Sequence, residues 1–331
     1  MRGRRLGPVL LALVLASSVA GCGDSDGGGG GTDSADWPSG KPAVDTSGLV
    51  YAVGDTVHLG DDSSLEVGKK VEHFVLAGAG AYFTAGGHDA GGDASYYVDP
   101  LYYSTGDGKA REVAPDASDL TASADGRYLM YMDMGSGKKD GFGTPQAVVV
   151  VVDTTTGDEV ARTSEGMGDP GSDDDLADLY EDAEPQLEGI TADTAYYQGA
   201  RDDVAIDLST GKVAVRGDDD KPPSSDGLRS PDGRWTVEDV YEDYAPQDRL
   251  VTADGQRVQL TGVPPKVDLV RWISDTVVAG SALDGSADAE GLTAGSTEPL
   301  ITCEATSGRC EIVPGPTAAD VVFPESSAAA G

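Results

Sequence analysis

Histidine is scarce in this chain: His58, His73 and His88 are the only three in 331 residues. A Ser-His-Asp arrangement or a multi-histidine metal site therefore has little material to work with. Cysteine is equally sparse, with Cys22, Cys303 and Cys310 and no Cys-x-x-Cys, which speaks against dithiol redox chemistry. Positive charge is short as well. There are 23 Lys and Arg against 58 Asp and Glu, a formal charge of -35. Such a chain repels nucleic acid and anionic lipid head groups. No Gly-x-Ser-x-Gly, His-Glu-x-x-His or phosphate loop occurs. Helical periodicity is nearly absent, which argues against a two-lobed α/β solute-binding fold. Only Asp173 to Asp182, around Leu176 and Leu179, reads as a short helix.

The N-terminus is the one strongly patterned apolar region. Met1-Arg2-Gly3-Arg4-Arg5 is a short positive segment, and Leu6 to Val19 follows without charge. That run is short of the roughly 20 residues a spanning helix needs, and it fits the core of a secretory signal. It ends in Val19-Ala20-Gly21-Cys22, which resembles the lipobox of bacterial lipoproteins. The resemblance implies a signal peptide over 1–21 and a diacylglycerol on the thiol of Cys22. It places the protein on the extracytoplasmic side of the cell membrane, touching the membrane through that lipid alone. Loss of Arg2, Arg4 and Arg5 with the signal takes the formal charge from -35 to -38. The alternative is an ordinary signal with a chance cysteine. Residues 22–47 are rich in Gly, Ser and Asp and read as a disordered tether. Its root-mean-square reach is about 25–30 Å. Residues 316–331 read as a disordered tail.

With Cys22 lipidated, two thiols remain. Outside the cytoplasm Cys303 and Cys310 are expected to oxidise. The Thr306-Ser307-Gly308 turn between them suits a hairpin that brings the two Cβ atoms close. Two free buried thiols are the other reading.

The body repeats itself. One element is a turn followed by a β-rich run. Ser123-Ala124-Asp125-Gly126-Arg127-Tyr128 returns as Ser230-Pro231-Asp232-Gly233-Arg234-Trp235, with weaker copies around Gly80, Thr194 and Thr276. Asp-Gly between extended runs is a hairpin signal. The other element is a strand, a polar turn with glycine, and a strand. Val152-Asp153-Thr154-Thr155-Thr156-Gly157 returns as Ile206-Asp207-Leu208-Ser209-Thr210-Gly211, and again in the cysteine hairpin. The two elements alternate, at a spacing close to the about 40–45 residues of a four-stranded propeller blade.

Ser-x-Asp-Gly-Arg-Tyr/Trp followed by Asp-x-x-Thr-Gly resembles the repeats of TolB-like and WD40-like bacterial β-propellers. The resemblance covers residues 48–315 and implies an all-β propeller of four-stranded antiparallel blades. Five full units and a partial first one imply six blades, or seven if the first region holds further strands. The Gly-His and Trp-Asp dipeptides of true WD40 blades are missing. A two-sheet sandwich is the alternative fold.

In a propeller the short turns fall on one face and the long inserts on the other. The inserts here carry Asp173, Asp174, Asp175, Asp218, Asp219, Asp220, Glu242 and Asp243. These residues are the expected binding face, since binding residues tend to sit on loops held by a rigid scaffold. Merely solvated acidic loops are the plainer reading. Asp284, Asp288 and Glu290 have oxygen ligands at alternate positions, as calcium loops do, but the rest of that pattern is absent. No cofactor and no metal is expected, calcium being the nearest exception. The implied role is binding or scaffolding of a protein or cationic partner in the cell envelope, without nucleic acid. The rival is a propeller hydrolase or lyase using carboxylates, with acids converging on the central axis. Tyrosine pairs such as Tyr102-Tyr103 and Tyr196-Tyr197 are expected to pack between blades, a sugar or peptide groove being the other reading, and Trp235 and Trp272, each after a turn, are expected to pack in the core.

Overall fold

The two repeated elements make two kinds of turn, each built the same way at every strong copy. In the first, Ser123 Oγ donates to Asp125 Oδ1 at 2.6 Å and accepts from Tyr128 N at 2.9 Å. Ser230 repeats this with Asp232 at 2.8 Å and Trp235 N at 3.0 Å. Gly126 and Gly233 sit at φ 67° and 68°, a region that costs glycine little and other residues more. In the second, the glycine N–H returns to the carbonyl four residues back. Gly157 bonds Asp153 O at 2.7 Å, and Gly211 and Gly308 bond Asp207 O and Glu304 O at 2.8 Å. Asp153 and Asp207 side chains accept the N–H of Thr155 and Ser209, which is why an aspartate opens the motif.

The computed structural model describes residues 37–40, 43–86, 88–89, 97–172, 175–217, 229–242, 245–285, 287–288, 291–292 and 296–325. Its strands are antiparallel throughout the named sheets, and among the described residues they fall into six successive groups. Blade 1 holds Tyr51–Val53, Thr56–His58 and Ser64–Glu66. Blade 2 holds His73–Ala77, Gly80–Thr84, Tyr97–Ser104 and the first half of Arg111–Ala122. The second half of that long strand opens blade 3, with Tyr128–Asp133, Val148–Asp153 and Asp158–Thr163. Ala117 is the hinge, pairing with Asp99 on one side and Asp133 on the other.

Blade 4 is Gln186–Ile190, Thr194–Gln198, Asp203–Asp207 and Val213–Val215. Blade 5 pairs Trp235–Glu238 with Arg249–Thr252, and single bridges at Arg229–Thr236 and Val251–Arg257 stand for its outer members. Blade 6 is Lys266–Trp272, Val277–Leu283, Pro299–Glu304 and Arg309–Thr317.

The chain then returns to its beginning. Val321–Val322 pairs with Tyr51–Val53 and supplies blade 1 with its missing first strand. This pairing brings the two ends of the described body into one sheet, as closing a ring of blades does. First strands of neighbouring blades also lie against each other. His73–Ala77 and Gln186–Ile190 both pack on Arg111–Ala122. The first strands therefore line the axis, and the architecture is a β-propeller.

The apolar core lies in layers between blades, because each sheet buries both faces. One layer joins Met130, Met132 and Val149 to Tyr197, Val204 and Ile206. A second joins Val57 and Val71 to Phe74 and Phe83, and a third joins Val237 and Leu250 to Leu269 and Ile301. Trp235, at the start of its strand, and Trp272, at the end of its own, pack against the third. Leu176–Ala183 forms helix α1, capped by Asp175 through Ala177 N at 2.9 Å, with Leu176 and Tyr180 in the core.

Two boundaries differ from the sequence reading. The body begins before position 48. Trp37, placed in the tether by composition, is 4% exposed between Tyr82 and Tyr131. Val44 N bonds Gly78 O at 2.9 Å. The body also continues past 315, through the closing strand to Glu325. Both segments are too short and too mixed in composition to show periodicity, and both are ordered by contacts with distant blades.

Candidate binding face and axial channel

The sequence-predicted residues divide sharply. Cys303 and Cys310 form a disulfide, facing each other across the last hairpin of blade 6 with Cα atoms 4.0 Å apart. Asp175 is the cap of helix α1, so its carboxylate is already spent on backbone. Glu242 lies in the short pairing Tyr241–Glu242 with Ala245–Pro246. Cys22, Asp173, Asp174, Asp218, Asp219, Asp220 and Asp243 lie outside the described residues. Among the described residues no three His, Cys, Asp or Glu side chains group as metal ligands. Asp284 is described and pairs with Thr297.

A different set of acids gathers where blades 5 and 6 present their second-to-third strand connections. Asp248 receives Val240 N at 3.2 Å on one oxygen and Leu269 N at 2.8 Å on the other. It thereby ties blade 5 to the first strand of blade 6. Asp268 is next to that contact. Burial raises its pKa, and Asp248, Glu298 and Asp239 raise it further. Burial also raises that of Asp248, with Asp239 adding to it. The charges acting on Asp268 are all carboxylates.

A second gathering lines the axis. His73 Nδ1 stands 3.3 Å from Glu325 Oε1, and both side chains are about half exposed, 55% and 51%. The hydrogen bond to Glu325 holds the His73 imidazole above its ordinary pKa against partial burial, and Asp99 and Asp119 add to it. Asp119 accepts Leu187 N at 2.8 Å from blade 4. Burial pushes its carboxyl up to about 6, and Glu325 contributes. Arg271 of blade 6 donates to the carbonyl of Pro324, and burial lowers its pKa. Blades 2, 3 and 6 and the closing segment thus each contribute an ionisable group.

Sequence reasoning missed Asp119, Asp248, Asp268, Arg271 and Glu325. One signal was present: an acid directly followed by a leucine within a first strand, as in Asp119-Leu120 and Asp268-Leu269. It is faint, since alternation alone also places acids on a solvated face.

Two exposed aromatics complete the loop-side surface. Phe142 and Tyr241 are each 69% exposed, on the second-to-third connections of blades 3 and 5. Phe142 is held out rigidly. Buried Asp140 accepts Phe142 N at 2.9 Å and Thr144 N at 2.8 Å on one oxygen, and Leu176 N at 2.9 Å on the other.

No family model and no curated protein matches the chain. Solved structures do align with it. One is assigned as TolB, from Agrobacterium tumefaciens, at 15% identity over 73% of this chain and 79% of that one, with a TM-score of 0.34. Another is hydrazine synthase of Kuenenia stuttgartiensis, at 15% identity over 74% and 66%, TM-score 0.33. A third is the β-propeller domain of the trilobed protease of Pyrococcus furiosus, at 12% identity over 70% and 68%, TM-score 0.30.

Proposed function

We propose that this protein is a non-enzymatic binding propeller, held on the extracytoplasmic face of a membrane by lipid on Cys22, that takes a cationic segment of a protein partner at its loop-side surface. The observation carrying the reading is the crowding of Asp239, Asp248, Asp268 and Glu298. Carboxylates whose neighbours raise their pKa, as Asp239 does for Asp248 and all three do for Asp268, gain most from an added cation. The large negative charge, -38 once Arg2, Arg4 and Arg5 leave with the signal, would steer such a partner in. Phe142 and Tyr241 would supply the apolar anchors that protein interfaces favour.

The test uses the full lipidated chain and a lysine-rich peptide as probe. Binding is expected to fall about tenfold in a variant carrying Asp239→Asn, Asp268→Asn and Glu298→Gln, and to weaken with salt. Equal binding by wild type and variant would refute the reading.

A second reading, hydrolase or lyase, is favoured by one feature. His73, paired with Glu325, and Asp119, poised near pH 6, converge on the axis as acid–base groups would. Turnover of generic ester or glycoside substrates that Asp119→Asn abolishes would support it over binding alone.

A further inference from the structure

We propose that residues 321–325 form a pH-sensitive clasp, which locks the propeller ring while His73 is protonated and loosens as His73 gives up its proton. The clasp is a separate feature from the partner surface and stands without it.

Backbone pairing at the closure is minimal. Only Ala52–Val322 and Val53–Val321 are paired, and so short a ladder has little stability of its own. What remains of the grip comes from the neighbouring blades. Glu325 N donates to Phe74 O of blade 2 at 2.7 Å. The Glu325 carboxylate faces His73 of the same strand, and Arg271 of blade 6 holds the carbonyl of Pro324. The segment is thus gripped on both sides by side chains, one of them an imidazole whose pKa the hydrogen bond to Glu325 raises.

The charged groups around this point come from four elements. Glu325 belongs to the closing segment, Asp99 to Tyr97–Ser104, Asp119 to Arg111–Ala122 and Arg271 to Lys266–Trp272. Solvent reaches both His73 and Glu325, so the imidazole exchanges its proton with the medium. At mildly acidic pH, Glu325 faces an imidazolium and a largely neutral Asp119. Raising the pH removes a proton from each. Glu325 then loses one cationic partner and acquires a like-charged neighbour, with Arg271 alone still cationic. Both losses act in the same direction. Because the groups interact, the transition belongs to the cluster and not to His73 alone.

Hydrogen exchange on the full chain, corrected for the intrinsic pH dependence of exchange, reads the clasp directly. Amides of residues 51–53 and 321–325 are expected to lose protection several-fold between about pH 5.5 and 8, while Val148–Asp153 of blade 3 stays unchanged. Glu325→Gln keeps the backbone contacts and is expected to flatten the profile at a low level of protection. His73→Gln is expected to do the same, and His73→Lys to hold protection high across the range. A wild-type profile without pH dependence at the closure would overturn the proposal. So would a Glu325→Gln variant that keeps the full response.

Discussion

Trp37 Nε1 donates to Glu159 Oε1 at 3.2 Å, joining positions 122 residues apart. Its ring lies 5.5 Å from that of Tyr131 and 6.5 Å from that of Tyr82, on the middle strands of blades 3 and 2. Pro38 O accepts from Tyr82 Oη at 3.2 Å. A residue read as tether is therefore a wedge between two blades.

Removing that wedge is expected to be costly. Trp37→Ala deletes a large buried ring and leaves Tyr82 and Tyr131 facing a void, for a loss of about 3–5 kcal/mol. Denaturant melts of the full chain measure it. A variant as stable as wild type would mean that the segment contributes nothing to the fold.

Stability is expected to fall as pH rises from about 5 to 8. His73 has its folded pKa raised by Glu325, so its contribution is complete below the ordinary imidazole pKa and is lost as pH climbs through the raised value. Asp119, pushed up by burial to about 6 from 3.8, binds its proton more tightly when folded, and that contribution is lost earlier in the climb, as pH rises from the ordinary carboxylate value through about 6. Asp119→Asn should flatten the part of this slope below about pH 6 in thermal melts and leave the His73 part.

At the acid end the sign reverses. Asp153 is held below the ordinary carboxylate pKa: burial opposes this, but Arg127 and Thr155 outweigh it. Its contribution is present above the ordinary value and lost as pH falls through the depressed one. Arg127 forks onto Asp153 Oδ2 at 2.8 and 3.0 Å, tying the first turn of blade 3 to the second. Asp153→Ala is expected to cost about 2 kcal/mol, because Thr155 N and the guanidinium both lose an acceptor. Arg127→Ala, at a half-exposed guanidinium, should cost less, about 0.5–1 kcal/mol. Urea titration of the two variants tests the order.

Replacing Cys303 and Cys310 together by Ser is expected to destabilise by about 2–3 kcal/mol, the scale for so short a loop. Reductant should shift the wild-type melt and leave the double variant unmoved. The hairpin itself should survive, since Gly308 N still bonds Glu304 O.

The repeat was legible in the sequence because its causes are local. Ser123 reaches Asp125 and Tyr128, and Asp153 reaches Thr155 and Gly157, all within five residues of one another. The same short-range rule joins Cys303 to Cys310 and caps α1 with Asp175. Hairpins, their alternation and the propeller class follow from such contacts, each dictated by residue type at fixed spacing.

What tertiary structure alone decided has no such spacing. Val321–Val322 completes blade 1 from the far end of the chain, Trp37 finds Glu159, and Glu325 finds His73 across 252 positions. Asp119, Asp268 and Arg271 look like ordinary alternating residues until neighbouring first strands are brought side by side around an axis. Their pKa values are then set by burial and by charges on other blades, and these exist only once the ring has closed.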